Sequence, residues 1–316
     1  MSQRPRIVFM GTPDFAVPSL HMLMDKGYEV VGVITQPDRP VGRKRVLTPP
    51  PVKVAAEKMG LPVFQPERLR EPEAVARFLA MKPDLVVTAA YGQLLPEEVL
   101  RAPKHGCINV HASLLPKYRG GAPIHHALIN GEKETGVTIM YMVKELDAGD
   151  ILSQQAIPIT DEDDVGTLHD RLAKVGADLL AKTLPPLLEG TIQPIPQNPA
   201  EVTYAPNIRR EDEKIDWTRP ARDLFNQVRG LRPWPVAFTL WKGKPLKIWR
   251  ALVLETETME PPGTVLRVDE AGVVVAAGEN ALLIKELQPA GKKRMTADQF
   301  ARGRNMEPGE RLGEDS

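Results

Sequence analysis

Three side chains in the middle of the chain have types and spacing suited to polar chemistry: Asn109, His111 and Asp147. Asn109 and His111 are two residues apart in a short stretch predicted to be a strand. Side chains alternate between the two faces of a strand, so these two point to the same side. An amide donor and an imidazole would therefore face one ligand together. Asp147 follows a later predicted strand, precedes a glycine turn and supplies a carboxylate.

The same residues also have a purely structural interpretation. Asn109 would then cap a turn, and His111 would be a buried, hydrogen-bonded histidine. The next segment favours a ligand site, because residues 113–123 combine prolines and glycines in an irregular loop beside a strand end. A nicotinamide cofactor is not expected, since Gly11 after the first strand lacks the G-x-G-x-x-G pattern.

The elements that must position these residues follow from the pattern of the first half. Short β-branched runs alternate with helix-like stretches, which is typical of a mostly parallel sheet covered by helices. The predicted strands cover residues 6–10, 30–35, 85–90, 107–111, 137–143 and 151–159. The predicted helices cover residues 15–26, 51–59, 72–81 and 96–101, and leucines at helical spacing from 168 to 187 add another. The fold class is therefore α/β with a doubly wound, mostly parallel sheet, and the Asn109 and His111 pair lies at a strand end, where such sheets bind ligands.

The chain changes character after Gly190. Residues 191–199 contain three prolines, which exclude a helix interior and a central strand. We therefore assign residues 1–190 to a first domain, 191–206 to a linker and 207–316 to a second domain. Beyond a helix at 219–230, the second domain has short predicted strands near residues 237–241, 246–254, 263–268, 272–276 and 281–287. This pattern indicates a small C-terminal β-barrel of the oligonucleotide-binding type.

The composition limits the possible functions. The chain has 316 residues, 42% of them apolar and 26% charged, which is typical of a globular protein of two domains. The single cysteine, Cys107, cannot form an internal disulfide or a multi-thiolate metal site, so we expect no metal and a reducing, cytoplasmic location. No stretch approaches the roughly 18 apolar residues of a membrane span.

Charge is unevenly distributed, although 41 Lys and Arg balance 41 Asp and Glu. Residues 39–45 carry four basic and no acidic side chains, and their proline and glycine exclude a helix, so we expect a projecting basic loop. Residues 207–304 hold 18 basic against 13 acidic side chains, a net charge of +5, which suits contacts to phosphates. A solvated surface would look the same. Trp234, Trp241 and Trp249 could stack on bases, but their strand-like positions favour the core.

These segments together resemble the folate-dependent formyltransferases over nearly the whole chain. The matching motifs are Met-Gly-Thr-Pro-Asp-Phe at 10–15, Thr-Gln-Pro-Asp-Arg-Pro at 35–40, Ala-Tyr-Gly-Gln-Leu-Leu-Pro at 90–96, the Asn109 and His111 block with Ser-Leu-Leu-Pro at 113–116, Leu-Asp-Ala-Gly at 146–149, Ile-Asp-Trp at 215–217, Pro-Trp-Pro at 233–235 and Gln-Pro-Ala-Gly-Lys-Lys at 288–293. The Asn-x-His pair with a distant Asp is typical of the formyltransferase fold as a group. The basic loop and the Gly-Lys-Lys-Arg-Met element at 291–295 favour the members that act on initiator tRNA.

The resemblance implies roles for the three polar residues. In this family an amino group attacks the formyl group of 10-formyltetrahydrofolate and passes through a tetrahedral intermediate. Asn109 would donate to the oxyanion, His111 would add a second donor or take the amine's proton, and Asp147 would orient His111 or relay the proton through water. Neither a metal ion nor a covalent nucleophile is implied.

The resemblance also implies binding residues and partners. The folate slot would be formed by the loop residues Tyr91, Gln93, Leu94, Ser113, Leu114, Leu115 and Pro116 and by the loop at 142–147. The RNA contacts would be Arg39, Arg43, Lys44 and Arg45 in the basic loop and Lys292, Lys293 and Arg294 in the second domain. Which of Arg43, Lys44 and Arg45 enters the acceptor end stays open. The implied partners are methionyl initiator tRNA and the folate, without a membrane, and we expect a monomer.

Other functions are compatible with the same core. A formyltransferase acting on a sugar nucleotide, or a formyltetrahydrofolate hydrolase, would share Asn109, His111 and Asp147. A non-catalytic RNA-binding protein could keep the fold without the chemistry. The basic loop and the basic second domain favour the tRNA substrate over these alternatives.

Overall fold

A computed structural model describes residues 4–314, and the chain divides into two compact units. The first unit comprises the residues up to Gly120 together with Glu134–Ile157 and His169–Ala205. The second comprises Gly121–Lys133, Pro158–Leu168 and the residues from Pro206 onward. Two short segments of the first half of the chain therefore pack in the second unit, and no break in the sequence pattern marks them.

The strands of the first half are β1 (Arg6–Gly11), β2 (Glu29–Ile34), β3 (Arg39–Val41), β4 (Val46–Thr48), β5 (Val63–Phe64), β6 (Leu85–Ala89), β7 (Cys107–His111), β8 (Glu134–Tyr141) and β9 (Ile151–Pro158). Seven of them form one sheet in the order β5–β2–β1–β6–β7–β8–β9. The first five in this order pair in parallel, and β8 is antiparallel to β7. The predicted mostly parallel sheet is confirmed, and only the two-residue β5 was too short to leave a pattern.

The helices of the first half are α1 (Val17–Asp25), α2 (Pro51–Lys58), α3 (Pro72–Ala80), α4 (Glu97–Arg101), α5 (Pro123–Ile129) and α6 (Val165–Glu189). Four of them, α1, α2, α3 and α5, carry proline at one of the first two positions, where its fixed φ fits and its missing N–H costs nothing. Helix α5, which follows directly on the irregular loop, was not predicted. Across residues 4–314, none of the helices has the length and apolar character needed to cross a bilayer.

The strand order reverses between β1 and β6. From β1 the chain builds outward through β2 to β5 and then returns to β6 and β7 on the other side. Ligands of such sheets bind outside the carboxyl ends of the strands at this reversal. Thr12, just beyond β1, donates its hydroxyl hydrogen to the Tyr91 carbonyl, just beyond β6, at 2.8 Å. This bond ties together the loops that flank the expected ligand position.

The basic segment forms a hairpin of β3 and β4, whereas the sequence predicted a projecting loop. Arg39 pairs with Thr48, and Val41 pairs with Val46. The turn between them includes Gly42 at φ 74°, a conformation that glycine adopts without strain, and the flanking valines favour strands. Every residue of the hairpin is exposed, including Leu47 at 65%. The predicted projection into solvent is therefore confirmed, although the backbone is regular.

The second unit contains α7 (Arg210–Glu213), α8 (Ala221–Gly230), β10 (Phe238–Trp241), β11 (Lys244–Leu254), β12 (Val265–Asp269), β13 (Gly272–Ala276), β14 (Ala281–Pro289), β15 (Met295–Thr296) and α9 (Ala297–Arg304). Its antiparallel sheet has the order β10–β11–β14–β13–β12, with β15 paired to β14. The last described segment joins the two edge strands, because Gly313 donates to the Leu240 carbonyl and Val265 donates to the Glu310 carbonyl, both at 2.8 Å. The prediction of a small C-terminal β domain is confirmed, and the structure shows that its sheet is antiparallel.

The tryptophans of this unit differ from the core positions expected for them. Trp234 is 46% exposed and lies in a turn rather than in a strand, so the prediction is wrong for it. Trp241 and Trp249 are partly buried, and their indole N–H groups donate to Glu310 and Gln288. The tryptophan that does lie in the core is Trp217, at 4% exposure.

Gly278 marks a close approach of two backbone segments within this unit. A Cβ atom on it would lie 1.8 Å from the Thr218 carbonyl oxygen. We expect Gly278→Ala to push these segments apart and to lower the free energy of unfolding by about 1–3 kcal/mol. Gly303 in α9 faces open space, so Gly303→Ala should be neutral or stabilise by up to about 1 kcal/mol. Urea unfolding of both variants tests this contrast, and equal stability of the two would contradict it.

Candidate active site

Asn109 lies near the carboxyl end of β7 with its amide oxygen already engaged. The neighbouring strand β6 places Thr88 directly opposite, and the Thr88 hydroxyl donates to Asn109 Oδ1 at 2.7 Å. Thr88 is 1% exposed, whereas Asn109 is only partly buried. Because this bond uses the oxygen of the amide, Nδ2 is the atom that presents hydrogen-bond donors to a ligand.

The His111 ring is oriented by a backbone carbonyl. Its Nε2 lies 2.9 Å from the Tyr118 oxygen, and a carbonyl can only accept, so Nε2 carries a hydrogen. In the neutral ring the lone pair is then on Nδ1. Nδ1 lies 3.7 Å from Asp147 Oδ2, which is too long for a direct hydrogen bond. The contact that favours the Nε2–H tautomer of His111 is therefore the one with the Tyr118 carbonyl.

Asp147 is held in a backbone conformation that is rare for residues other than glycine. It lies in the loop after β8 with φ at 48°. Its Oδ2 accepts from the backbone N–H of Gly120 at 2.8 Å, and its own carbonyl accepts from Gln197 Nε2 at 2.7 Å. Such a conformation persists only where the surroundings determine it. The result is a nearly buried carboxylate that faces the open nitrogen of His111.

Two of the predicted folate-binding residues in the loop after β7 are buried and form hydrogen bonds within the protein. Ser113 is fully buried and donates its hydroxyl hydrogen to the Lys117 carbonyl at 2.7 Å. Leu115 is 3% exposed, and its N–H donates to Thr138 Oγ1 at 3.1 Å. Leu114 and Pro116 are partly exposed, so these two side chains are the ones available to a ligand.

In the loop after β6 some predicted folate residues are likewise used for the structure of the protein, whereas Leu94 is exposed. Tyr91 is 4% exposed and packs in the core with Val8 and Met10. Gln93 braces the loop, because its Oε1 accepts from the Leu69 N–H at 2.7 Å. Leu94, by contrast, is 81% exposed and presents a large apolar surface to solvent.

A cleft of about 280 Å³ borders this loop. Its lining residues are Glu67, Arg68, Arg70, Gln93 and Leu94. Two arginines against one glutamate make the cleft basic, and Leu94 adds an apolar wall. It therefore suits an anionic ligand with an apolar portion.

Cys107 has no role as a nucleophile. It is buried, and its Sγ contacts the Val99 carbonyl at 3.5 Å. Burial raises the pKa of the Cys107 thiol to about 12, so it stays protonated at neutral pH.

The predicted RNA-contacting residues fall in both units. In the hairpin, Arg43, Lys44 and Arg45 are exposed at the turn, whereas Arg39 forms an ion pair with Glu67 at 2.8 Å. In the second unit, Lys292 and Lys293 are exposed. Arg294 instead pairs with Glu286 and lies over the ring of Trp249, 4.8 Å from its centre.

Several residues that shape the site escaped the sequence analysis. Thr88 carries a weak signal, since it is a polar residue in an otherwise apolar predicted strand. Tyr118 and Gly120 contribute through backbone groups, which the residue type does not reveal. Gln197 contacts a residue fifty positions earlier in the chain, so no local pattern indicates it.

Two family models and named relatives match nearly the whole chain. A family model described as "Formyl transferase" matches residues 5–184, and one described as "Formyl transferase, C-terminal domain" matches residues 207–305. The methionyl-tRNA formyltransferase of Halalkalibacterium halodurans is 61% identical over 299 residues, covering 94% of both chains. That of Bacillus subtilis is 58% identical over 309 residues, covering 98% of both chains.

Solved structures share the fold at low sequence identity. WlaRD, a sugar 3N-formyl transferase whose crystal structure was obtained in the presence of dTDP and 5-N-formyl-THF, has a TM-score of 0.66 at 18% identity, over 92% of this chain and 100% of that one. HypX from Aquifex aeolicus, in complex with tetrahydrofolic acid, has a TM-score of 0.63 at 18% identity. This match covers 95% of the present chain but 47% of HypX, so the chain spans about half of that protein. The family models and the near full-length relatives together confirm the resemblance predicted from the motifs: the chain belongs to the formyl transferase family.

Proposed function

We propose that this chain transfers the formyl group of 10-formyltetrahydrofolate to the free amino group of methionyl initiator tRNA. The observation that carries the proposal is the pair of Asn109 and His111 two residues apart on β7, together with Asp147, whose Oδ2 lies 3.7 Å from His111 Nδ1. Two relatives named methionyl-tRNA formyltransferase are 58–61% identical to this chain, and the matches cover 94–98% of their length. Residues 1–190 form the catalytic domain in this proposal, and residues 207–316 form an RNA-binding domain joined to it by residues 191–206. The enzyme acts as a cytoplasmic monomer.

Each of the three polar residues has a step in this reaction. The amine nitrogen bonds to the formyl carbon, and an electron pair moves to the formyl oxygen, where Asn109 Nδ2 donates a hydrogen bond. His111 Nδ1 takes the proton that the amine must lose, directly or through a water beside Asp147. The carbonyl bond then re-forms as the bond from the carbon to the folate nitrogen breaks, and that nitrogen receives the proton held by His111, directly or through water. Asp147 stabilises the imidazolium form of His111 while it holds the proton.

The exposed residues of the loops after β6 and β7 fit the folate. Leu94, Leu114 and Pro116 supply apolar surface for the ring system. Arg68 and Arg70 in the adjoining cleft supply positive charge for the carboxylates of the donor.

The hairpin fits an RNA substrate. Arg43, Lys44 and Arg45 lie at the tip of a regular two-stranded projection, and all three are exposed. A sugar-nucleotide acceptor requires no such projection. The net charge of +5 over residues 207–304 adds a second surface for phosphates.

A formylation assay with alternative acceptors tests the proposal. Purified protein and 10-formyltetrahydrofolate are incubated with methionyl initiator tRNA, with methionyl elongator tRNA, with an amino-sugar nucleotide or with no acceptor. Formylation of the initiator substrate is the expected result. Formylation of the sugar alone would favour the sugar-nucleotide alternative, and formate release without an acceptor would favour the hydrolase. Binding of the tRNA without transfer would leave a non-catalytic RNA-binding protein.

Neutralising the hairpin tip should weaken RNA binding more than catalysis. For the triple variant with Arg43→Ala, Lys44→Ala and Arg45→Ala, we expect KM for the tRNA to rise about tenfold or more at moderate salt, with kcat nearly unchanged. The logarithmic salt dependence of binding should become shallower by up to about 0.7–0.9 for each lost phosphate contact. Measurements of KM over a range of salt concentrations test both effects.

Lys58→Ala is the matched control for this prediction. Lys58 is an exposed basic residue in the same unit. It lies at the end of α2, outside the hairpin. An equal change in KM for this control and for the triple variant would show a general effect of charge and would contradict the role of the hairpin.

A further inference from the structure

Residues 195–205, which we name the strap, belong to the linker assigned from the sequence, yet they contact the loops that hold His111 and Asp147. The strap begins at the edge of the sheet, where Ile195 and Ile151 exchange backbone hydrogen bonds at 2.8 and 2.9 Å. Most of its side chains are exposed. The strap therefore adds little to the hydrophobic core. Its hydrogen bonds to the two loops are the contacts that matter for its role.

Both the nitrogen and the oxygen of the Gln197 side-chain amide form hydrogen bonds with the loops after β7 and β8. Its Nε2 donates to the Asp147 carbonyl at 2.7 Å and to the Gly149 carbonyl at 2.8 Å. Its Oε1 accepts from Arg119 Nη2 at 2.8 Å and from Arg119 Nε at 3.1 Å. One partly buried side chain thus fixes the backbone of Asp147 at its unusual φ and links it to the loop after β7.

Thr203 makes the corresponding contact on the side of His111. Its Oγ1 accepts from the N–H of Tyr118 at 2.9 Å, and its carbonyl accepts from the N–H of Arg119 at 2.9 Å. Tyr118 is the residue whose carbonyl receives the Nε2 hydrogen of His111. The position of Tyr118, and with it the tautomer of His111, therefore depends on the strap.

Gly120 contacts both the Asp147 side chain and the strap. Its N–H donates to Asp147 Oδ2 at 2.8 Å. A Cβ atom on Gly120, which has φ at 122°, would lie 2.6 Å from the carbonyl oxygen of Ala205 in the strap. The strap can approach this closely only because the residue is glycine.

We propose that Gln197 and Thr203 are positioning residues, which set the relation between His111 Nδ1 and the Asp147 carboxylate for proton transfer. The inference rests on the proposed function, because the proton in question is that of the attacking amine. A hydrogen-bonded frame is needed here since the two groups are 3.7 Å apart and do not hold each other directly. A displacement of about 1 Å between reacting groups can lower a rate by about a hundredfold.

The test compares Gln197→Met and Thr203→Val with two controls. Both variants remove hydrogen bonds and retain approximate shape, so kcat for formylation should fall by about tenfold or more while KM for folate and tRNA stays within about twofold. Thr203→Ser keeps the hydroxyl and should restore most of kcat. Asn198→Ala changes the neighbouring strap residue, whose side chain accepts from the N–H of Ala200 within the strap, and should behave as the unmodified protein.

A spectroscopic measurement separates this inference from the proposed function. Nitrogen NMR of protein labelled in histidine reports the tautomer of His111 without any substrate. A single Nε2–H tautomer is expected in the unmodified protein and in Thr203→Ser, and a mixture is expected in Thr203→Val. If the protein had no formylation activity but Thr203→Val and Thr203→Ser still differed in the His111 tautomer, the proposed function would be refuted and the positioning role of Thr203 would be supported. Unchanged kcat and an unchanged tautomer in both Gln197→Met and Thr203→Val, or an equal loss in Asn198→Ala, would refute the positioning role.

Discussion

Replacing Asn109 with alanine is expected to lower kcat for formyl transfer by about 10²–10³-fold, which corresponds to about 2.7–4 kcal/mol of transition-state stabilisation. The amide nitrogen donates to an oxygen that becomes fully charged only in the tetrahedral intermediate, so substrate binding should change much less. Single-turnover formylation at saturating folate and tRNA measures the effect on the chemical step.

Thr88 provides a graded control for this prediction. Thr88→Val leaves the Asn109 amide in place but removes the hydroxyl that donates to its oxygen at 2.7 Å. We therefore expect a smaller loss than for Asn109→Ala, and Thr88→Ser should preserve the rate. If Asn109→Ala kept full single-turnover activity, the assignment of the oxyanion donor would be wrong.

Replacing Asp147 with alanine is expected to lower kcat by about 10²–10⁴-fold, the range of general acid–base catalysis. The variant removes the charge that stabilises protonated His111 and also the acceptor of the Gly120 N–H. Asp147→Asn separates these effects, since its side-chain oxygen can still accept from Gly120 while the charge is lost. A large loss in both variants would assign the effect to the charge.

A double-mutant cycle with His111→Ala tests whether Asp147 and His111 share one proton path. Residues that act as a unit show losses that are far from additive, so the double variant should be little slower than the worse single variant. Strictly additive losses would place the two residues in separate steps. Full activity of Asp147→Ala would remove it from the mechanism.

Most of the fold could be predicted from local patterns. The patterns of the apolar strands β1, β6 and β7 and of the helices α1, α2 and α3 are local, and the observed bounds of these elements differ from the predicted ones by a few residues at most. The segments that were not predicted include β5, which has only two residues, and α5, which packs in a unit whose remaining residues come mainly from later in the chain. Helix α9 was not predicted either. The hairpin was taken for a loop because Pro40 and Gly42 act as breakers inside a strand but are tolerated at an edge and in a turn.

The candidate site could be predicted only in part. The choice of Asn109 and His111 followed from their types and from the strand alternation, and the structure places both at the carboxyl end of β7. The folate loops were chosen as continuous motifs, whereas the structure buries Tyr91, Ser113 and Leu115 and leaves Leu94 exposed. Alternation does not operate in irregular loops, so the sequence offered no rule for which side chains turn inward.

The sequence by itself determined the family, the alternation that sets Asn109 and His111 on one face, and the cluster of basic residues at 39–45, because each depends on residue types at short separation. Only the tertiary structure decided that Tyr118 rather than Asp147 selects the His111 tautomer, and that Gln197 and Thr203 hold the two sides of the site. These contacts join residues up to 85 positions apart. Their geometry depends on the path of the backbone through the sheet, which no local periodicity encodes.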